Sequence, residues 1–409
     1  MKILMLSPVH PCPPNRGSKI RVYHSVDRLR RQNTIHGLSF SDADSSQSGV
    51  PEHDGEQNPV CETIESKGNP KGTFASAAHS VLDNTTYRGA KFDGSGFRDR
   101  LREVVTAEDF DLLWVHFLNM LRFFQESDLW DAVRDVPIVL DQHNDVERVW
   151  QRNRQQGGIA EQLFARWNID QIRDLRSWTL PRCDVILSVS EEDAETTRTQ
   201  VENTPVWVAP NGVDLDRFSS DSGTVSMSPR LLFVGSMDVK MNIDAITWFA
   251  REIYPQIRAH IPDAEFQVVG RNPASEVRAL DQQEGIDVTG GVERVRPYYE
   301  RAGVAVVPLR RGGGTKLKVP EAMAARVPVV ATSVGAQGLN IEDGVHLRIA
   351  DEAGLFAEAV TELMVDREEA QQLVRAAYDR VEQQYSWTGI YDGVMERIEA
   401  EVIQAKSVQ

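Results

Sequence analysis

Residues 310–325 read Arg-Arg-Gly-Gly-Gly-Thr-Lys-Leu-Lys-Val-Pro-Glu-Ala-Met-Ala-Ala. Consecutive glycines running into a helical pattern, just past an apolar strand expected at 304–308, leave free backbone N–H groups at a helix start. Such a place holds phosphate. Lys316 and Lys318 add positive charge, and Glu321 falls one to two turns into the helix, where a carboxylate reaches a sugar hydroxyl rather than a phosphate. Together these residues suggest a nucleoside diphosphate whose ribose is gripped by Glu321. A charge-assisted hydrogen bond of that kind contributes about 1.5–3 kcal/mol, and a helix terminus about 0.3–2 kcal/mol.

The elements that must position these groups follow from periodicity. Apolar runs of four to six residues alternate with longer helical patterns, the mark of parallel sheets built from βαβ units. In the first half, strands are expected at 2–7, 35–40, 111–116, 137–141, 184–189 and 206–209, and in the second at 231–235, 265–269, 287–289, 304–308, 327–331 and 346–349. A chain of 409 residues exceeds what one core usually supports. The expected fold class is α/β, with two doubly wound Rossmann-like domains facing across a cleft. The divisions are residues 1–212, a linker at 213–229, residues 230–380, and a helical tail at 381–409. The polar, acidic stretch 41–59 reads as a surface loop.

Composition narrows the function classes. Three widely spaced cysteines, Cys12, Cys61 and Cys183, form no CxxC pair and suggest neither a disulfide framework nor zinc. A net charge of −16 argues against nucleic-acid partners. The start of the chain carries too short an apolar run for a signal peptide, and no run reaches about 18 apolar residues, so the expected location is cytoplasmic.

Four features in this order resemble glycosyltransferase family 4 (group 1) of the GT-B fold. They are the amino-terminal strand with Asn15-Arg16-Gly17-Ser18, the turn Pro210-Asn211-Gly212-Val213-Asp214 with Phe218, the strand end Phe233-Val234-Gly235, and Glu321-Ala322-Met323-Ala324 before Pro328-Val329-Val330. The resemblance implies transfer of a hexose from a nucleotide diphosphate sugar to an acceptor hydroxyl with retention, in polysaccharide or glycoconjugate biosynthesis. Glu321 then lies on the donor ribose. The family's second glutamate, eight residues earlier, is Gly313 here, so that the backbone N–H groups of Gly313, Gly314 and Thr315 would meet diphosphate or hexose hydroxyls. After Gly235 the family carries an arginine and, five residues on, a lysine; here Ser236 and Lys240 follow, and the arginine's role is vacant or passes to Lys316. The resemblance also implies donor contacts by Gly17, Gly235 and Ser236, with residues 1–212 on the acceptor side, residues 230–380 on the donor side and the tail at 381–409 packing back toward the first domain.

In the amino domain the resemblance places His143 near the transferred sugar as a catalytic group beside Lys240 and Lys316, with Arg16, Asn144 and Arg148 toward the acceptor. The alternative is a histidine capping the next helix with Asn144 as the cap residue. His116 is as readily a packing histidine. Asp214-Leu215-Asp216 and Asp42-Ala43-Asp44 are read as turn and loop residues, so no metal or other cofactor is expected, and the leaving phosphate is neutralised by cationic side chains and helix amides. Residues 148–182 hold seven arginines against three acids, which suggests a solvated helix face or peripheral contact with the inner face of the membrane, with a sugar or lipid-linked acceptor. Two other functions fit the same residues: a sugar-nucleotide epimerase, and a non-catalytic nucleotide-sugar binding subunit.

Overall fold

The computed structural model describes residues 1–14, 17–40, 60–64, 86, 95–156, 158–218, 225–312 and 315–404. The loop read at 41–59 and the Asp42-Ala43-Asp44 motif lie outside the described residues. The chain forms two compact units, Met1–Ala209 with Tyr391–Gln409, and Pro210–Ile390. The tail expected from residue 381 therefore changes unit at Tyr391.

The first unit is built on a seven-stranded sheet ordered β3-β2-β1-β4-β5-β6-β7. Its strands are β1 (Lys2–Ser7), β2 (Thr34–Phe40), β3 (Val60–Ile64), β4 (Leu112–His116), β5 (Ile138–Asp141), β6 (Val185–Ser188) and β7 (Val206–Val208). Every pairing is parallel. β4, β5 and β6 are buried at every position, as strands covered by helices on both faces must be, which explains their continuous apolar runs. β3 is an edge strand that the apolar alternation does not announce, because Glu62 and Thr63 break a run already short. Phe97 of helix Ser95–Ala107 stacks between Phe40 and Phe123, with ring centroids 4.6 and 4.8 Å away.

The described residues from Tyr391 onward are anchored in this unit. The Tyr391 hydroxyl donates to the Arg21 carbonyl at 3.3 Å, Asp392 pairs with Arg28, and the Arg397 guanidinium lies 3.9 Å over the Trp207 ring.

The second unit repeats the plan with six parallel strands ordered β10-β9-β8-β11-β12-β13. They are β8 (Arg230–Val234), β9 (Glu265–Val269), β10 (Ile286–Gly290), β11 (Val304–Val307), β12 (Val329–Ala331) and β13 (Arg348–Ile349). In both sheets the winding direction reverses beside the first strand of the unit, between β1 and β4 and between β8 and β11. Open parallel sheets leave a crevice at that reversal, beyond the carboxyl ends of the strands. Replacing Phe97 by Ala removes the middle ring of the aromatic stack and is expected to lower unfolding free energy by about 3–5 kcal/mol, read from urea denaturation.

Candidate functional site

At the crevice of the first unit, helix Gly17–Leu29 follows β1, and the last residues of β4 and β5 stand side by side, His116 being the register partner of Asp141. Arg21, fully buried on that helix, donates from Nε to both Asp141 oxygens at 2.9 and 3.1 Å and from Nη2 to Oδ1 at 2.7 Å. Burial opposes ionisation of Asp141, but the guanidinium and His116 reverse this and hold its carboxyl well below the usual carboxylate range. Burial likewise pushes the His116 imidazolium down, with Asp141 opposing. His116 Nε2 faces Ser25 Oγ at 2.9 Å, and its Nδ1 faces both Asp141 Oδ2 at 3.3 Å and His143 Nε2 at 3.0 Å. A proton on Nδ1 is shared with the carboxylate, whereas a bare Nδ1 accepts from His143.

Phe117, held at φ 68°, stacks on the His143 ring with centroids 3.8 Å apart. His143 is thus fixed edge-on by His116 and face-on by Phe117, and it remains half-buried. Possible ligand atoms of His116, Asp141 and His143 lie within 4.8 Å of one another. Both carboxylate oxygens already accept from Arg21, so a divalent cation there would sit against a guanidinium.

The second unit gathers cations where its strand order reverses. Gly235 and Ser236 follow β8, and Gly270 and Arg271 follow β9. A Cβ at Gly270 would stand 1.6 Å from the Gly235 carbonyl oxygen, so the two turns can touch only through glycine. Met237 N–H donates to the Arg271 carbonyl at 2.9 Å, and Arg271 Nε donates to Ser236 Oγ at 3.1 Å. Asn242 continues the chain of contacts, donating to the Ser236 carbonyl at 2.8 Å and accepting from Lys318 Nζ at 3.0 Å. Lys318 also lies 3.9 Å over the Phe233 ring. Burial lowers its pKa to about 7, with Lys316 adding to the effect and Glu321 opposing it.

Glu321 stands one turn along helix Lys318–Ala324. Burial raises its pKa against the pull of Arg217 and Lys318, and the Tyr299 hydroxyl donates to its Oε2 at 3.4 Å. Lys316 is only 5 % exposed, and Gly312, at φ 126°, lets the chain turn in beside it; a side chain there would meet Met241 Sδ at 2.7 Å.

Of the expected site residues, the structure brings Gly235, Ser236, Lys316 and Glu321 to one crevice, with Thr315 tied in by Asn211 Nδ2, which donates to its Oγ at 2.7 Å. Gly313, Gly314 and Arg16 lie outside the described residues. Lys240 opens helix Lys240–Trp248 and is exposed, with no hydrogen bond or ion pair among the described residues. Gly17 opens helix Gly17–Leu29 and is exposed. Arg148 is engaged by Glu192 and Asp193. The helix after His143 is capped by Asp145, whose Oδ1 accepts from Glu147 N–H at 3.0 Å, and not by Asn144; a carboxylate one residue later fits the helix N-terminus better.

Arg271, Asn242, Lys318 and Tyr299 complete the second crevice without having been singled out as its residues by motif. Only Lys318 carried a local signal, its charge beside the glycines. Arg271 is separated in sequence from Ser236 by a whole helix–strand unit, so nothing short of the β8–β9 pairing brings them together.

Comparison with known proteins adds a family. Residues 228–366 match the family model described as glycosyl transferases group 1, and residues 75–217 match glycosyltransferase family 4. A relative from Klebsiella pneumoniae, an uncharacterized 44.6 kDa protein in the cps region, is 21% identical over 73% of this chain and 76% of its own length. A GDP-mannose-dependent alpha-(1-6)-phosphatidylinositol monomannoside mannosyltransferase from Mycobacterium tuberculosis is 27% identical over 44% of this chain, a match that spans 51% of the mannosyltransferase. Among solved structures, sucrose-phosphate synthase from Thermosynechococcus elongatus superposes with a TM-score of 0.69 at 17% identity, covering 99% of this chain and 100% of that one. Anabaena HepE in complex with UDP and glucose superposes at 0.64 with 15% identity, over 98% of this chain and 100% of HepE.

Asp141→Asn leaves the buried Arg21 guanidinium without its counter-charge and is expected to cost about 3–5 kcal/mol of unfolding free energy. Because the lost charge pair is buried, added salt should recover little of that loss in a urea titration.

Proposed function

Because the chain belongs to the group 1, family 4-like glycosyltransferases of GT-B fold, we propose that it moves a hexose from a nucleoside diphosphate sugar to an acceptor hydroxyl. The transfer retains the anomeric configuration and serves polysaccharide or glycoconjugate synthesis. One observation carries the donor assignment. The hydrogen-bonded chain Arg271–Ser236–Asn242–Lys318, with Lys316 near by, places a surplus of positive charge at the strand-order reversal of the second unit, and Glu321 stands one helical turn from Lys318. The HepE complex with UDP and glucose supports a nucleoside diphosphate sugar as the ligand, and the mannosyltransferase relative supports hexose transfer.

In this reading Arg271 takes the diphosphate contact that Ser236 cannot make. Its Nε is spent on Ser236, which aims the guanidinium edge, and it has no ion pair among the described residues. Lys316 and Lys318 share the leaving phosphate's charge, Lys240 supplies a further cation from its helix start, and Glu321 accepts from the ribose hydroxyls. The Tyr299 phenol, its pKa raised well above the ordinary value by burial first and then by the Glu321 charge, stays protonated and holds the carboxylate in place. His143, steadied by His116 and Phe117, hydrogen-bonds a sugar hydroxyl. Charge neutralisation by side chains makes the reaction independent of added metal. An amino acid sequence that binds nucleotide without turnover would give donor binding but neither transfer nor hydrolysis.

A thermal-shift panel of UDP, GDP, ADP, dTDP and CMP without metal should show stabilisation of the wild type by one nucleoside diphosphate, absent in Glu321→Ala. No stabilisation by any of them removes the donor assignment. Arg271→Met should weaken sugar-nucleotide binding about 10- to 100-fold, as expected for loss of a charge-assisted hydrogen bond, and Arg271→Lys should recover part of it; wild-type affinity in Arg271→Met would exclude Arg271 as a phosphate partner.

The pH dependence has a definite sign. Lys318 loses its proton near pH 7 in the free protein, whereas a bound diphosphate raises its pKa, so binding takes up a proton above that pH. A sugar nucleotide's own diphosphate has no proton to lose there. Its affinity should be level below pH 7 and fall by at most about tenfold per pH unit above it, and Lys318→Met should flatten that slope in calorimetric titrations.

A further inference from the structure

We propose that the groove between helices Val146–Gln156 and Ile159–Thr179 docks this chain on a bilayer containing anionic phospholipid, with its arginines taking lipid phosphate and Ile159 and Leu163 entering the acyl boundary. The groove measures about 790 Å³ and is lined by Gln151, Arg154, Gln162, Arg166, Asp170 and Arg173. Spacings of three and four residues put Ile159, Gln162, Leu163, Arg166, Asp170 and Arg173 along one stripe of the longer helix, so the groove and the apolar pair are continuous. Ile159 is 82% exposed and Leu163 65% exposed, although both belong to a helix whose other large aliphatic side chains, Ile169, Ile172 and Leu175, are buried. Nothing among the described residues covers the pair.

Charge decides which partner fits. Glu161 is turned back to accept from the Gly158 N–H at 2.8 Å, and Arg173 is drawn to Glu147 at 2.6 Å and to Asp170 at 3.9 Å. Arg154 and Arg166 have no ion pair among the described residues, and both are exposed. The groove therefore keeps net positive charge in a chain of net charge −16. Cations beside exposed aliphatic side chains on one helix stripe match the boundary between lipid headgroups and acyl chains. Beneath the stripe, Trp150, Phe164 and Trp167 pack ring to ring at 5.6 and 5.8 Å, a stiff base that keeps the two helices together. The inference does not depend on the transferase reading.

The test is flotation of the full chain, at low salt, with phosphatidylcholine vesicles with and without phosphatidylglycerol. The wild type should float only with phosphatidylglycerol and be released by added salt. Arg154→Ala and Arg166→Ala should each weaken partitioning about fivefold, and Ile159→Ser with Leu163→Ser should reduce it further. All four side chains are exposed, so unchanged melting temperatures will show that folding is intact. A wild type that stays unbound on phosphatidylglycerol vesicles overturns the proposal. Flotation of the charge and apolar variants at the wild-type level overturns it equally.

Discussion

Reversal of winding in a parallel sheet is the constraint on which the rest of this protein depends. Right-handed crossovers send successive helices to one face while the sheet grows in one direction and to the other face when growth turns back. At the turning point no helix covers the carboxyl ends of the two central strands. Turns and helix starts converge there with their N–H groups free, so a charged side chain can be held by several elements at once. His116, Asp141 and Arg21 meet at the reversal in one unit, and Ser236, Arg271 and Lys318 at the reversal in the other.

The two crevices handle charge in opposite ways. In the first, Arg21 and Asp141 neutralise each other inside the core, and their effect is to orient His116 and through it His143. Such a pair contributes position more than stability, since the desolvation of two ions offsets most of their attraction. In the second, Glu321 is outnumbered by Lys316, Lys318 and Arg271. Burying the Lys318 ammonium raises the free energy of the empty protein, which is visible in its lowered pKa, and Lys316 adds to that cost. An anion that fills the place relieves that cost.

A guanidinium also stands in space beside the position that follows Gly235. The family resemblance calls for an arginine after Gly235, where this chain has Ser236. The serine accepts a hydrogen bond from Arg271, which arrives from the next strand in the sheet. The two turns meet because Gly270 has no Cβ to strike the Gly235 carbonyl.

Much was legible along the chain because its causes are local. The apolar runs announced the buried parallel strands, and Lys318 and Glu321 announced a charged helix start, since their spacing depends only on neighbouring residues. β3 escaped because an edge strand needs little apolar surface, and Asp145 escaped as the helix cap because Asn144 and Asp145 are equally able to cap until the backbone chooses. The partnership of Arg271 with Ser236, the clamp of Arg21 on Asp141, and the engagement of Arg148 by Glu192 and Asp193 were decided only by tertiary structure. Each joins residues from separate βα units, and strand order, which no single segment encodes, determines which of them become neighbours.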